Sequence, residues 1–220
     1  IGGSVTAGGI ATNYHDMGDG SAVLLLHGSG PGVTAWANWR LVLPMLAERF
    51  RAIAPDMVGF GYTERPTDAR YTMDLWVRHA VDLLDALDIE RVSIGGNSCG
   101  GGLALALAVR HPARIDRLVL MGSSGTNFEI TPGLEAVWGY QPSHQNMREL
   151  IELFAYDQSI VTDDLVRMRY EASVRPGYQE SYASMFPAPR QRHVRALASD
   201  DDALRALGNE TLIVHGRAGR

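Results

Sequence analysis

Gly96-Asn97-Ser98-Cys99-Gly100 places a hydroxyl, a thiol and two flanking glycines within five residues. The pattern G-x-S-x-G suits a nucleophilic serine when a strand leads in and a helix leads out. The tight turn then lifts the hydroxyl clear of the sheet, at a helix N-terminus where developing negative charge is favoured. Residues 92–95 read as such a strand, and the Ala/Leu-rich segment 99–110 as the helix. The competing reading, a glycine-rich turn with a capping serine, leaves that two-sided context unexplained. Cys99 is the second nucleophile in reach, because a thiol at a helix N-terminus is activated. Its own frame, Asn97-Ser98-Cys99-Gly100-Gly101, lacks the leading glycine that the turn needs.

A second glycine-rich run, His27-Gly28-Ser29-Gly30-Pro31-Gly32, follows the apolar run 22–27 and precedes a helical pattern. In hydrolases with a serine elbow, the loop after this strand gives one backbone N–H to an oxyanion hole. The residue after the nucleophile gives the other. Here those donors would be the amides of Ser29 and Cys99. A phosphate-binding loop would need a Gly-Lys-Ser/Thr ending, and the chain has no lysine. A dinucleotide fingerprint would need Gly or Ala at position 33, which is Val33.

The elements that must hold these loops alternate. Strand patterns at 22–27, 52–55, 92–95 and 118–121 are separated by helical patterns at 36–47, 73–87 and 99–110. That alternation predicts an α/β fold with a mostly parallel sheet flanked by helices. From 128 to 206 the periodicity is helical, with helices expected at 135–140, 147–154, 164–173 and 180–185, and strand pattern resumes at 211–215. The division expected is a core over 1–127, a helical lid over 128–206 and a return to the core over 207–220. A lid would cover the sheet's C-terminal edge, where open α/β sheets place ligands. The strand at 211–215 is expected to be buried. Because the chain starts without Met and stops just after it, the expectation is a fragment with its remaining core absent.

Composition narrows the function classes. The 220 residues carry a formal charge of -5, with hydrophobic residues at 45%. The basic charge is all arginine and scattered, which leaves no nucleic-acid footprint. Cys99 is the only cysteine, so no intrachain disulfide forms and a reducing, cytoplasmic setting is expected. No apolar run reaches the roughly 18 residues of a membrane span, and no signal sequence opens the chain.

Taken with Pro55-Asp56-Met57-Val58-Gly59-Phe60-Gly61 and Leu118-Val119-Leu120-Met121-Gly122, the two glycine loops resemble the α/β-hydrolase fold. More narrowly, the chain resembles the meta-cleavage product hydrolases, the carbon–carbon bond hydrolases of bacterial aromatic catabolism. Lid segments such as Phe154-Ala155-Tyr156-Asp157-Gln158-Ser159 and Arg169-Tyr170-Glu171-Ala172 share in it. The resemblance is greatest to those acting on 2-hydroxymuconic semialdehyde and its alkyl homologues. It implies Ser98 as nucleophile and the Ser29 and Cys99 amides as oxyanion donors. It implies Arg169 as the lid residue holding a substrate carboxylate, Asn38 and Asn97 near the dienoate end, Phe154 as an aromatic wall and Gly30 beside the substrate. The substrates implied are small 2-hydroxy-6-oxo-2,4-dienoates, cleaved without a cofactor to 2-hydroxypenta-2,4-dienoate and a carboxylic acid, by a homo-oligomer, a dimer. The dienol ketonises, an oxygen nucleophile adds to the C6 carbonyl, and the C5–C6 bond breaks.

Two departures stand beside it. Gly219 occupies the place where the family pattern has an acid, and no residue matches the family histidine. Of the seven histidines, His27 and His215 sit at strand ends and read as structural, and His111 precedes Pro112 at a helix end. His15, His79, His144 and His193 have no motif around them, and no pair has metal-ligand spacing. By composition alone Arg169 would be a solvated lid arginine paired with an acid. Two alternatives stay open: a serine carboxylesterase on the same fold, and a catalytically inactive hydrolase-like binding protein.

Overall fold

The computed structural model describes residues 2–217. It opens on a hairpin that the sequence analysis did not assign, β1 (Gly3–Ala7) and β2 (Ile10–Met17). The two strands pair antiparallel with Ala7 opposite Ile10, and Gly8 and Gly9 make the turn with φ of 55° and 84°. A two-residue turn with both φ positive is the kind that Gly-Gly favours. The signal was therefore present, although the half-polar strands conceal it.

The remaining strands are β3 (Ala22–Leu26), β4 (Arg51–Pro55), β5 (Val92–Asn97), β6 (Ile115–Met121) and β7 (Thr211–Val214). They complete one seven-stranded sheet in the order β1-β2-β4-β3-β5-β6-β7. β2 runs antiparallel to β4, and every pair from β4 to β7 is parallel. The sheet is thus mostly parallel, as expected. Its central strands are continuous apolar runs because both faces are covered, and Leu24, Leu26, Ile53 and Ile94 are fully buried.

Helices cover the two faces. The expected helix over 36–47 is two short ones, α1 (Ala35–Trp39), capped by the Thr34 hydroxyl, and α2 (Leu43–Ala47). The break has a physical cause: Pro44 has no N–H to give to a continuous helix, and it sits instead in the first turn of α2. α3 (Met73–Ala86) buries Trp76, Val77, Ala80, Leu83 and Leu84 along one stripe. α4 (Cys99–Arg110) is buried along most of its length, which its Ala/Gly/Leu composition permits.

The helical block between β6 and β7 holds α5 (Pro132–Trp138), α6 (His144–Phe154), α7 (Asp163–Ser173), α8 (Tyr178–Met185), α9 (Gln191–Leu197) and α10 (Asp201–Arg205). α5 starts at Pro132 rather than at Glu135, and α9 and α10 were not expected. Thr131, Ser143 and Thr162 cap their helices by accepting from the amides of Leu134, Asn146 and Leu165. Strand β7 corrects another expectation. Among the described residues it is exposed, with Ile213 at 72%, and it pairs with β6. Among the described residues no helix is long and apolar enough to cross a membrane.

Candidate active site

Ser98 sits between β5 and α4 with φ 53° and ψ -118°. Backbone held there costs on the order of 1–3 kcal/mol for a residue other than glycine, and such strain persists only where the surroundings enforce it. Hydrogen bonds enforce it here. The Ser98 amide donates to the Met121 carbonyl at 3.0 Å, and the Ser98 carbonyl accepts from the amides of Gly101 at 3.0 Å and Ser124 at 3.1 Å. The flanking glycines are required by clearance. A Cβ on Gly96 would lie 2.5 Å from the Gly100 oxygen, and one on Gly100 would lie 2.3 Å from the Leu26 oxygen. The sequence G-x-S-x-G is therefore a packing requirement of this turn.

The loop after β3 lies alongside. A Cβ on Gly28 would approach Ser98 Cβ to 3.2 Å. Asn38, on α1, accepts from Asn97 Nδ2 at 3.0 Å and from the Gly28 amide at 3.3 Å, which ties α1, the loop and the elbow together. The Ser29 hydroxyl accepts from Trp138 Nε1 at 3.1 Å, so the helical block is anchored to the same loop. Cys99 opens α4, and the first amides of a helix have no partner within it. Among the described residues neither the Cys99 nor the Ser29 amide donates to another group.

His27 is fully buried. The Met57 amide donates to its Nε2 at 3.0 Å, so the ring proton is on Nδ1, which donates to the Gly28 carbonyl at 2.7 Å. Burial pushes its pKa down and keeps the ring neutral. The ring is a strut of the glycine loop. Burial also pushes the Cys99 thiol up to about 12, the opposite of an activated nucleophile.

These residues open into a cavity of about 470 Å³ between the sheet edge and the helical block. Ser29, Gly30, Asn38, Asn97, Ser98, Phe154 and Arg169 all line it, so the fold brings together seven of the eight residues singled out in the sequence. The eighth, Cys99, is buried behind the elbow. Phe154 departs from the expected role: it ends α6 at 67% exposure, which makes it a rim residue rather than a closed wall. The apolar walls come from residues the sequence analysis missed: Val33, and Leu134, Val137 and Leu153 from the helical block. Thr131-Pro132, a cap followed by a first-turn proline, was the available signal for the start of α5.

Arg169, on α7, is the one charged side chain in the lining. No Asp or Glu pairs with it among the described residues, whereas nine other arginines have acidic partners within 4.0 Å. Burial pushes its pKa down, and the charge of Arg40 adds to that. Arg169 is half-buried, and a partly desolvated cation without a counter-ion is stabilised by an anionic ligand. Among the described residues no His, Asp or Glu lines the cavity. Gly219, where an acid was expected, lies outside the described residues. Among those residues, no three His, Cys, Asp or Glu side chains converge as a metal ion requires.

A strained serine on a strand–turn–helix elbow, roofed by a helical block over a mostly parallel sheet, defines the α/β hydrolases. The family model for the alpha/beta hydrolase fold matches residues 21–216. The chain is 62% identical over 217 residues to a 2-hydroxymuconate semialdehyde hydrolase of Pseudomonas sp. strain CF600, covering 99% of this chain and 77% of that protein. It is 60% identical over 220 residues to the 2-hydroxy-6-oxo-2,4-heptadienoate hydrolase of Pseudomonas putida F1, covering 100% of this chain and 80% of that one. The solved meta-cleavage product hydrolase of Pseudomonas fluorescens IP01, a serine-to-alanine variant with acetates, superposes with a TM-score of 0.97. It shares 59% identity over 99% of this chain and 80% of its own. The chain belongs to the meta-cleavage product hydrolases of the α/β-hydrolase family.

Proposed function

We propose that this protein hydrolyses the C5–C6 bond of small 2-hydroxy-6-oxo-2,4-dienoates, giving 2-hydroxypenta-2,4-dienoate and a carboxylic acid. The observation that carries the reading is the pairing, in one cavity, of the Ser98 elbow with a half-buried arginine that has no acidic partner among the described residues. Arg169 takes the dienoate carboxylate, its planar fork matching both oxygens. Asn38 and Asn97 face the polar end, and the apolar residues of α5 and α6 receive the C6 side.

With the substrate held this way, ketonisation of the dienol places a proton on C5 and makes C6 a simple ketone or aldehyde. Ser98 delivers the oxygen nucleophile to C6, and the Ser29 and Cys99 amides take up the oxyanion. When the C5–C6 bond breaks, its electron pair passes into the conjugated keto acid. Water supplies OH to C6 and H to the dienoate. A serine needs a base to become a strong nucleophile, and among the described residues no His, Asp or Glu lines this cavity.

The test is stopped-flow absorbance of yellow 2-hydroxymuconic semialdehyde with the full-length protein, with assay of formate. Bleaching with stoichiometric formate is expected. Hydrolysis of nitrophenyl esters without any action on the dienoate would overturn the reading in favour of an esterase.

A further inference from the structure

Behind Arg169 lies a second chamber, of about 460 Å³, which shares that residue with the reaction cavity. Arg40 from α1 and Arg175, just past α7, also line it, together with Trp36 and Tyr62. None of the three arginines has an acidic partner among the described residues. Arg40 donates only to the Ala37 carbonyl. Arg175 lies over the rings of Tyr62 and Tyr178, at 5.4 and 5.9 Å, and donates to the Tyr62 hydroxyl. These contacts fix its position and leave its charge uncompensated.

The remaining ionisable groups of the lining do not neutralise the chamber. Its one carboxylate, Asp56, is committed: it accepts from the amides of Ala35 at 2.6 Å and Tyr62 at 2.8 Å, and from Asn13 Nδ2 at 2.8 Å. Burial pushes the His15 pKa down, so that ring adds no positive charge at neutral pH. Three guanidinium groups against one occupied carboxylate make a positive concavity in a chain of net charge -5. Arg40 and Arg175 are exposed and Arg169 is half-buried, so the positive charge leads inward from solvent, and a concave cationic surface concentrates anions.

We propose that this chamber is an anion antechamber, in which Arg40 and Arg175 capture a small carboxylate and pass it to Arg169. Resting on the function proposed above, the carboxylate is that of the dienoate on its way to Ser98. Arg169 lines both cavities, so one cationic partner serves both ends of the transfer. Arg40 and Arg175 are capture residues that do not touch the reacting atoms.

Two measurements test it on the full-length protein. The first uses the Ser98→Ala variant, in which the dienoate chromophore reports binding without reaction. Arg40→Gln and Arg175→Gln should each slow association about 3- to 10-fold at low ionic strength, as expected for loss of electrostatic steering. Dissociation should be unchanged, the difference should vanish in high salt, and Arg40→Lys and Arg175→Lys should keep most of the rate. An association rate unaffected by the Gln variants, or a loss confined to dissociation, overturns the proposal.

The second needs no substrate. Trp39, Trp76 and Trp138 are buried, and Trp36, at 45% exposure, is the indole open to quenchers. Iodide should quench it more than caesium does, acetate should compete with iodide, and both Gln variants should remove the preference while acrylamide quenching stays constant. Equal quenching by iodide and caesium overturns the antechamber. Failure of the dienoate to bind the Ser98→Ala protein, with iodide preference intact, overturns the substrate reading instead and leaves the anion site standing.

Discussion

The elbow and the helical block that roofs it are held by different kinds of interaction. Around Ser98 the backbone packs against backbone: added Cβ atoms at Gly96 and Gly100 would meet main-chain oxygens at 2.5 Å or less. The block is tied to the core largely through side chains, with Trp138 on Ser29 and Ser181 on the Gly59 carbonyl, beside two backbone approaches, the Ser199 amide on the Gly125 carbonyl and Gly32 against the Ser173 amide. Backbone packing tolerates almost no substitution. Side-chain ties can be exchanged one at a time, so the roof can change its walls while the elbow stays fixed.

The largest effect should come from the fixed part. In the full-length protein, Ser98→Ala should lower kcat by several orders of magnitude on any substrate, as when the nucleophile of a catalytic unit is lost. Cys99→Ala should leave most of the activity, since only the amide of that residue is used and its thiol is held up at about 12. Steady-state kinetics on both variants check this. An inactive Cys99→Ala with an active Ser98→Ala would remove the elbow from the comparison altogether.

The roof's largest contribution should be selective. Arg169→Gln is expected to cost about 2–4 kcal/mol in transition-state binding of a dienoate, or roughly 30- to 1000-fold in kcat/KM. A neutral ester offers no carboxylate and should lose little. Measuring both substrates on both proteins decides it: equal losses would make Arg169 a structural support of the roof.

The same contrast governs what was legible in the sequence. The elbow, the loop from His27 to Gly32 and the parallel strands were readable because local clearance and local periodicity dictate them. The walls were not. Leu134, Val137 and Leu153 read as ordinary helix-stripe residues, and only the packing of α5 and α6 turns them toward Ser98. The tie from Trp138 to Ser29 spans 109 residues and has no local signature. The β1–β2 hairpin was missed for another reason. Its buried Thr12 and Asn13 interrupt the apolar alternation, and their partners are distant, His79 for the first and Asp56 for the second.

That hairpin gives the core a pH dependence that the roof should not share. His79 is buried against the Thr12 hydroxyl at 2.8 Å, and burial lowers its pKa from the usual 6.5 to about 4. The unfolded chain therefore binds more protons than the native one between those values. Stability from this group is complete above the unfolded value and is lost as pH falls toward 4, about 3 kcal/mol in all. Urea unfolding of His79→Gln should show a shallower acid limb between pH 6.5 and 4 than the parent. Identical limbs would mean that other groups set the acid sensitivity of the core.

The smallest effect, and the one that joins the two regions, should come from Trp138→Phe. The Trp138 ring stacks on Phe186 at 4.3 Å with planes 8° apart, and its Nε1 donates to the Ser29 hydroxyl. Phenylalanine keeps much of the stacking and removes the hydrogen bond, worth about 1 kcal/mol. The Ser29 hydroxyl is then left without its roof partner, beside the amide proposed to hold the oxyanion. If the tie serves only to hold the roof down, stability should fall by about that amount while kcat stays level. If it also sets the Ser29 loop, kcat should fall about 3- to 10-fold for dienoate and ester alike, because both use the same oxyanion donors. The expected outcome is the second, since Trp138 reaches the loop beside the nucleophile and not merely the rim. A loss restricted to the dienoate would assign Trp138 to substrate recognition with Arg169 and return the elbow to full independence from its roof.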